Sequence, residues 1–66
     1  WMGSQLGGIL CDFRFVKPYV RTLQATTDGK YVVADYVWDD FGLSFIRFLT
    51  SATSHEEAIE RFTSDE

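Results

Sequence analysis

Residues 31–50, YVVADYVWDDFGLSFIRFLT, decide the fold of this chain. Two runs of strand-forming residues, 31–38 and 43–50, flank a turn-forming stretch at 39–42, and this order predicts a β-hairpin. Successive side chains of a strand point to opposite faces of the sheet, and both runs carry apolar side chains on both faces. A sheet built from such strands must therefore be covered on both sides.

Two further strands are predicted upstream, at residues 9–16 and 19–26, with Lys17-Pro18 between them because proline cannot donate to a strand ladder. Thr27-Asp28-Gly29-Lys30 favours a tight turn, since aspartate and glycine tolerate positive φ, and it pairs residues 19–26 with 31–38. Residues 19–26 form the most polar of the four strands, which predicts an edge position in the sheet.

Strict alternation in the first strand groups its apolar side chains on one face, namely Ile9, Cys11, Phe13 and Phe15. The same rule in the last strand sets Leu43, Phe45 and Leu49 against Ile46 and Phe48.

One helix is predicted, from Ser54 to about Thr63. Ser54 and Glu57 have the spacing of a capping box, in which each side chain bonds the backbone amide of the other residue. Ala58, Ile59 and Phe62 follow on one side of the helix. The sequence thus predicts an α+β fold: an antiparallel β-meander of three to four strands with one C-terminal α-helix packed on one face.

The length of 66 residues fits one domain, and 45% hydrophobic residues argue against disorder. We expect residues 1–8 to form a flexible N-terminal segment, typical of a cloning remnant, residues 9–63 to form the domain, and residues 64–66 to be a frayed tail. A single cysteine excludes an internal disulfide. No run approaches the ~20 apolar residues of a membrane span, and no signal peptide is recognisable. We therefore expect a cytoplasmic protein without a membrane partner.

Residues suited to catalysis or metal binding are scarce. One Cys11 and one His55 cannot supply a structural zinc site without carboxylates. Asp35, Asp39 and Asp40 match no calcium-binding loop. His55 stands beside Ser54, whose hydroxyl the helix cap already uses. We expect no enzymatic activity, no metal and no other cofactor.

The predicted architecture leaves one sheet face uncovered. Four strands span roughly 15–20 Å, whereas a ten-residue helix is ~15 Å long and ~10 Å wide. The chain is acidic, with a net charge of −4. These features favour a non-enzymatic protein-interaction module: a small homodimer, or a subunit or inhibitor that docks on a larger protein. The predicted docking residues belong to an apolar face and the adjoining acidic loop, and they are Tyr36, Trp38, Ile46, Phe48, Asp39, Asp40 and Phe41.

Three alternatives stay open. If the helix covers the other face, the docking residues become Tyr31, Val33, Phe45 and Leu49. A sheet that curls on itself would close the second face within one chain. A small nucleic-acid-binding domain would use basic and aromatic side chains of the sheet to stack bases, and the candidates are Arg14, Lys17, Tyr19, Arg21 and Lys30. The acidic balance of the chain opposes the counterion release that dominates nucleic-acid affinity, so a protein partner is favoured.

Overall fold

In the computed structural model of the chain, residues 8–64 are described, and they form one antiparallel sheet and one helix. The strands pair in sequence order, and the helix α1 follows the last of them at His55–Thr63. This arrangement confirms the predicted α+β meander with a C-terminal helix. The strands are β1 (Gly8–Val16), β2 (Tyr19–Thr26), β3 (Tyr31–Asp39) and β4 (Gly42–Ala52).

The described residues extend one residue beyond each end of the predicted domain of 9–63. Gly8 is buried as the first residue of β1, and Ser64 is the C-cap residue of α1. The predictions made for residues 1–7 and 65–66 fall outside the described residues.

Both predicted turns connect the strands, but the second has two residues rather than the four of 39–42, because Asp39 ends β3 and Gly42 begins β4. Gly29 lies between β2 and β3 with φ +84°, and Gly42 begins β4 with φ +109°, so both occupy backbone conformations that favour glycine. In the second turn the Asp39 carboxylate accepts a hydrogen bond from the Phe41 amide at 2.8 Å. β1 and β2 are joined at Lys17-Pro18, a cis peptide bond.

Helix α1 covers one face of the sheet. The Ser54 hydroxyl accepts a hydrogen bond from the Glu57 amide at 3.5 Å, which is one of the two hydrogen bonds of the predicted capping box. Burial of Ala58 and Phe62 against the sheet fixes the helix, because nine residues are too few to be stable alone. The core under α1 contains Leu23, Val33, Ala52, Ala58 and Phe62, with Tyr31, Leu49 and Ile59 packed around it.

The predicted edge position of residues 19–26 is wrong, because β2 lies between β1 and β3. Residues 20–24 are all buried, and Arg21, Thr22 and Gln24 have no exposed surface. A polar strand indicates an edge only when its side chains need water. Here neighbouring residues of the sheet supply hydrogen-bond partners instead.

The predicted grouping of the β1 side chains is also wrong. Leu10 lies opposite Gln24, but Asp12 lies opposite Leu23, so Cys11 is an extra residue in the ladder. This bulge moves Ile9 to the face that α1 covers and places Leu10 with Phe13 and Phe15 on the other face.

Two further register shifts occur between β3 and β4. Tyr36 lies opposite Phe45, and Ala34 lies opposite Phe48, so both phenylalanines share the face of Tyr36. The predicted separation of Phe45 from Phe48 is therefore wrong, since a bulge reverses the alternation on which it depended.

Candidate interaction surface

The sheet face opposite α1 carries a band of exposed aromatic side chains. Phe15 is 73% exposed and Trp38 is 71% exposed, although both belong to regular strands. Nothing among residues 8–64 covers these rings. We refer to this band as the aromatic face, and it consists of Phe13, Phe15, Trp38, Phe45 and Phe48.

Ring contacts order the aromatic face at both of its edges. On β1, Phe13 and Phe15 meet edge to face with ring centroids 5.9 Å apart. On the other side, Phe45 packs against Tyr36 at 5.8 Å and against Phe48 at 5.2 Å. Edge-to-face packing of this kind favours defined ring positions.

An open groove separates the two edges of the aromatic face. Its volume is about 230 Å3. Val20 and Thr22 on β2 line it between Phe13 and Phe15 on one side and Trp38 on the other. Leu10 and Leu43 complete an almost wholly apolar lining.

A buried polar group lies beside this groove on the same face. The Gln24 side-chain amide donates to the Thr22 hydroxyl at 3.1 Å and to the Tyr36 hydroxyl at 3.0 Å. Burial raises the pKa of Tyr36 more than the hydrogen bond from Gln24 lowers it, so the phenol stays neutral at physiological pH. Gln24 Oε1 has no hydrogen-bond partner among residues 8–64. These neutral side chains supply hydrogen bonds but no activated nucleophile.

The charged side chains of the sheet gather on the α1 side. Arg21 Nε donates to Asp35 at 2.9 Å, and Arg47 donates to the same carboxylate at 3.0 Å. Burial alone would raise the pKa of Asp35, but the hydrogen bonds from both arginines outweigh it and hold the pKa below its usual value. Arg14 and Arg21 both donate to the Ser64 carbonyl, so two guanidinium groups bind the C-terminal end of α1, where cations are stabilised.

The structure divides the predicted docking residues between different positions. Trp38 and Phe48 are exposed on the aromatic face, whereas Tyr36 is fully buried beneath Phe45. Ile46 is exposed on β4. Asp39 ends β3 after Trp38, and Asp40 and Phe41 form the turn that follows it.

The alternative docking set is also divided. Tyr31, Val33 and Leu49 pack against the core under α1, whereas Phe45 lies on the aromatic face. Sequence reasoning missed Phe13 and Phe15 as surface residues. Their alternation marked a buried face, and no signal in the sequence showed which of the two faces α1 leaves uncovered.

The residues predicted for nucleic-acid binding do not form one surface. Arg14 and Arg21 contact the end of α1, and Tyr19 lies 4.9 Å from the Arg47 guanidinium on the same side of the sheet. Lys17 and Lys30 lie in turns at opposite ends of β2.

Within the described part of the chain, no group of three or more His, Cys, Asp or Glu residues is arranged to hold a metal ion. His55 packs against the Tyr31 ring, with centroids 5.1 Å apart. Helix α1 falls well short of the length and apolar character that crossing a membrane requires. No family model, curated protein or solved structure matches this chain.

Proposed function

We propose that this chain is a non-enzymatic protein-interaction module that docks through its aromatic face. The observation that carries the proposal is the exposure of five aromatic side chains on one sheet face, with no covering element among residues 8–64. Apolar patches on soluble monomers rarely exceed a few hundred Å2 unless they serve binding.

The size of the patch supports this function. The exposed fractions of the five rings together equal about three fully exposed aromatic side chains. At roughly 200 Å2 for each side chain, the aromatic face offers on the order of 600 Å2 of apolar surface. Stable protein interfaces bury about 800 Å2 on each partner. The aromatic face therefore supplies most of the apolar area that one such interface needs.

The distribution of charge favours protein over nucleic acid as the partner. Arg14, Arg21 and Arg47 point to the α1 side, away from the aromatic face. Binding of single strands requires basic side chains along the backbone beside the rings on which bases stack. Here the five rings of the aromatic face lie on the side of the sheet opposite to these three arginines.

Two matched variants test the proposal. Phe15 and Ile9 are both exposed on β1, at 73% and 68%, but the bulge at Cys11 places them on opposite faces. Phe15→Asp and Ile9→Asp therefore introduce the same charge on the same strand at similar exposure. Circular dichroism first establishes that both variants keep the fold.

Protein binding is then measured on immobilised wild type and on each immobilised variant. Cross-linking and mass spectrometry map the contact. We expect a protein, either the chain itself or another, to bind wild type and Ile9→Asp and to be lost from Phe15→Asp. Retention by Phe15→Asp, or cross-links only to the α1 side, would overturn the proposal. Salt-sensitive binding of single-stranded oligonucleotides that Phe15→Asp abolishes would instead support the nucleic-acid alternative.

A further inference from the structure

We propose that the partner of the aromatic face is a second copy of this chain, docked face to face about a two-fold axis parallel to the strands. This inference rests on the proposed function, because it assigns the occupant of the same surface. Two features carry it: the apolar area that the face offers, and the positions of opposite charges at its two sides.

The charges lie in two turns at the same end of the sheet. In an antiparallel meander, the β1–β2 turn and the β3–β4 turn lie together at one end. Lys17 is exposed in the first turn, on the β1 side of the groove, and Asp40 is exposed in the second, on the β4 side. One end of the aromatic face is therefore positive on one side and negative on the other.

A two-fold axis parallel to the strands turns this asymmetry into complementarity. The rotation keeps the turn-bearing ends of both copies together and sets β1 of one copy over β4 of the other. Lys17 then faces Asp40 of the partner subunit, and the symmetric contact repeats the pair, as an isologous interface requires. Phe13 and Phe15 of each copy face the Phe45 and Phe48 side of the other.

The amount of apolar surface fits this occupant. Each copy brings on the order of 600 Å2 from its aromatic face, so the dimer buries on the order of 1,200 Å2 of aromatic surface before the turns are counted. Stable interfaces begin at about 1,200 Å2 in total.

Asp40, rather than Asp39, supplies the carboxylate for this contact. Asp39 is occupied within its own turn, where its carboxylate accepts from the Phe41 amide and the Ser44 hydroxyl. An exposed carboxylate beside a hydrophobic surface is well placed to select the orientation of a partner, since electrostatic complementarity fixes register more than it adds affinity.

Charge reversal tests the arrangement. In Lys17→Asp the two-fold contact brings two carboxylates together, and in Asp40→Lys it brings two ammonium groups together. Each variant should raise the dissociation constant of the dimer about tenfold at low salt, measured by light scattering over a hundredfold range of concentration. The double variant Lys17→Asp/Asp40→Lys should recover wild-type affinity.

Mixing the two single variants gives the sharper result. In a heterodimer of Lys17→Asp with Asp40→Lys, one of the two symmetric contacts joins two unsubstituted residues and the other joins two substituted ones, so opposite charges meet at both. Native mass spectrometry should therefore show the heterodimer well above the statistical half of all dimers. The substitutions lie in exposed turns, so the variants should fold, and circular dichroism checks this. An excess of heterodimer that disappears at about 1 M salt supports the proposed contact, because salt screens exposed charges.

Three other outcomes overturn the inference. Wild type that stays monomeric at every concentration shows that the occupant is not a second copy. The binding experiment with the immobilised chain then still decides the proposed function. A dimer with statistical mixing shows a different symmetry. A dimer that also survives Phe15→Asp shows association away from the aromatic face, as pairing between two β4 edges would. If immobilised Phe15→Asp also binds protein as wild type does, the proposed function is overturned as well.

Discussion

Arg21 and Asp35 lie directly opposite each other on β2 and β3 and form an ion pair in which neither side chain has exposed surface. The Nε to Oδ1 distance is 2.9 Å. Arg47 donates to the same carboxylate, and Arg21 also donates to the Ser64 carbonyl at the end of α1. This pair therefore connects the centre of the sheet to the helix that covers it.

Removing the carboxylate charge should destabilise the fold strongly. Asp35→Asn leaves the buried Arg21 guanidinium without its counter-charge, which costs about 3–5 kcal/mol in other buried pairs. A domain of this size has a free energy of unfolding of similar magnitude. We therefore expect Asp35→Asn to be largely unfolded at 25 °C, as measured by urea titration and circular dichroism.

Asp40→Asn is the control for this substitution, measured at concentrations at which the chain is monomeric. Asp40 is exposed in a turn, so its substitution should then change the free energy of unfolding by less than about 0.5 kcal/mol. An Asp35→Asn variant within about 1 kcal/mol of wild type would contradict the role assigned to the ion pair.

The same carboxylate should make the fold sensitive to acid. The pKa of Asp35 is lower in the folded chain than in the unfolded chain, so its contribution to stability is present above the unfolded value of ~3.9. That contribution is lost as pH falls through the lower folded pKa. Hydrogen bonds in the turns also lower the pKa values of Asp28 and Asp39, which act in the same direction.

The expected result is a free energy of unfolding that decreases steadily below about pH 4. Urea titrations from pH 7 to pH 2 measure this profile. A free energy that stays constant or increases between pH 5 and pH 2 would show that the native pKa of Asp35 is not lowered.

The fold class could be predicted from local signals that depend on few residues. Gly29 and Gly42 mark two turns through their backbone freedom, and Ser54 with Glu57 marks the helix start. Such signals depend on residues within four positions of one another, so they can be recognised without knowledge of the tertiary contacts. The order of the strands in a meander then follows from short connections.

The faces of the strands could not be predicted equally well. A bulge such as the one at Cys11 leaves no mark in the residue pattern, yet it reverses the face of every side chain before it. The central position of β2 was hidden for a different reason. Arg21 and Gln24 are buried because Asp35 and Tyr36 lie beside them, and that pairing exists only once the register is known.

Two phenylalanines should show that the core under α1 contributes far more to stability than an exposed turn does. Phe62 is 4% exposed in the core under α1, whereas Phe41 is 97% exposed. Phe62→Ala removes a buried ring and should cost about 3–5 kcal/mol, which is enough to detach α1 or unfold the chain. Phe41→Ala removes the same atoms from solvent and should change the free energy of unfolding by less than about 0.5 kcal/mol.

Thermal unfolding followed by circular dichroism compares these two variants directly. Equal losses of stability in both would mean that the packing of Phe62 against the sheet is not what holds α1. A loss confined to Phe62→Ala agrees with the core described above.

The fluorescence of Trp38 shows directly whether the aromatic face is exposed to water. Its indole is 71% exposed, so in the monomer its emission should resemble that of tryptophan in water. The proposed dimer covers Trp38 with the β1 side of the second copy. In a Trp1→Phe background, which leaves Trp38 as the single tryptophan, the emission should shift to the blue and acrylamide quenching should decrease as the concentration rises through the dissociation constant.

The Phe15→Asp variant in the same background is the control, and its emission should stay that of an exposed indole at every concentration. Burial of aromatic side chains is what distinguishes face-to-face docking from pairing of strand edges, since edge pairing leaves Trp38 in contact with water. Light scattering identifies the concentrations at which the chain is dimeric. An unchanged Trp38 spectrum at those concentrations would therefore place the dimer contact elsewhere on the molecule.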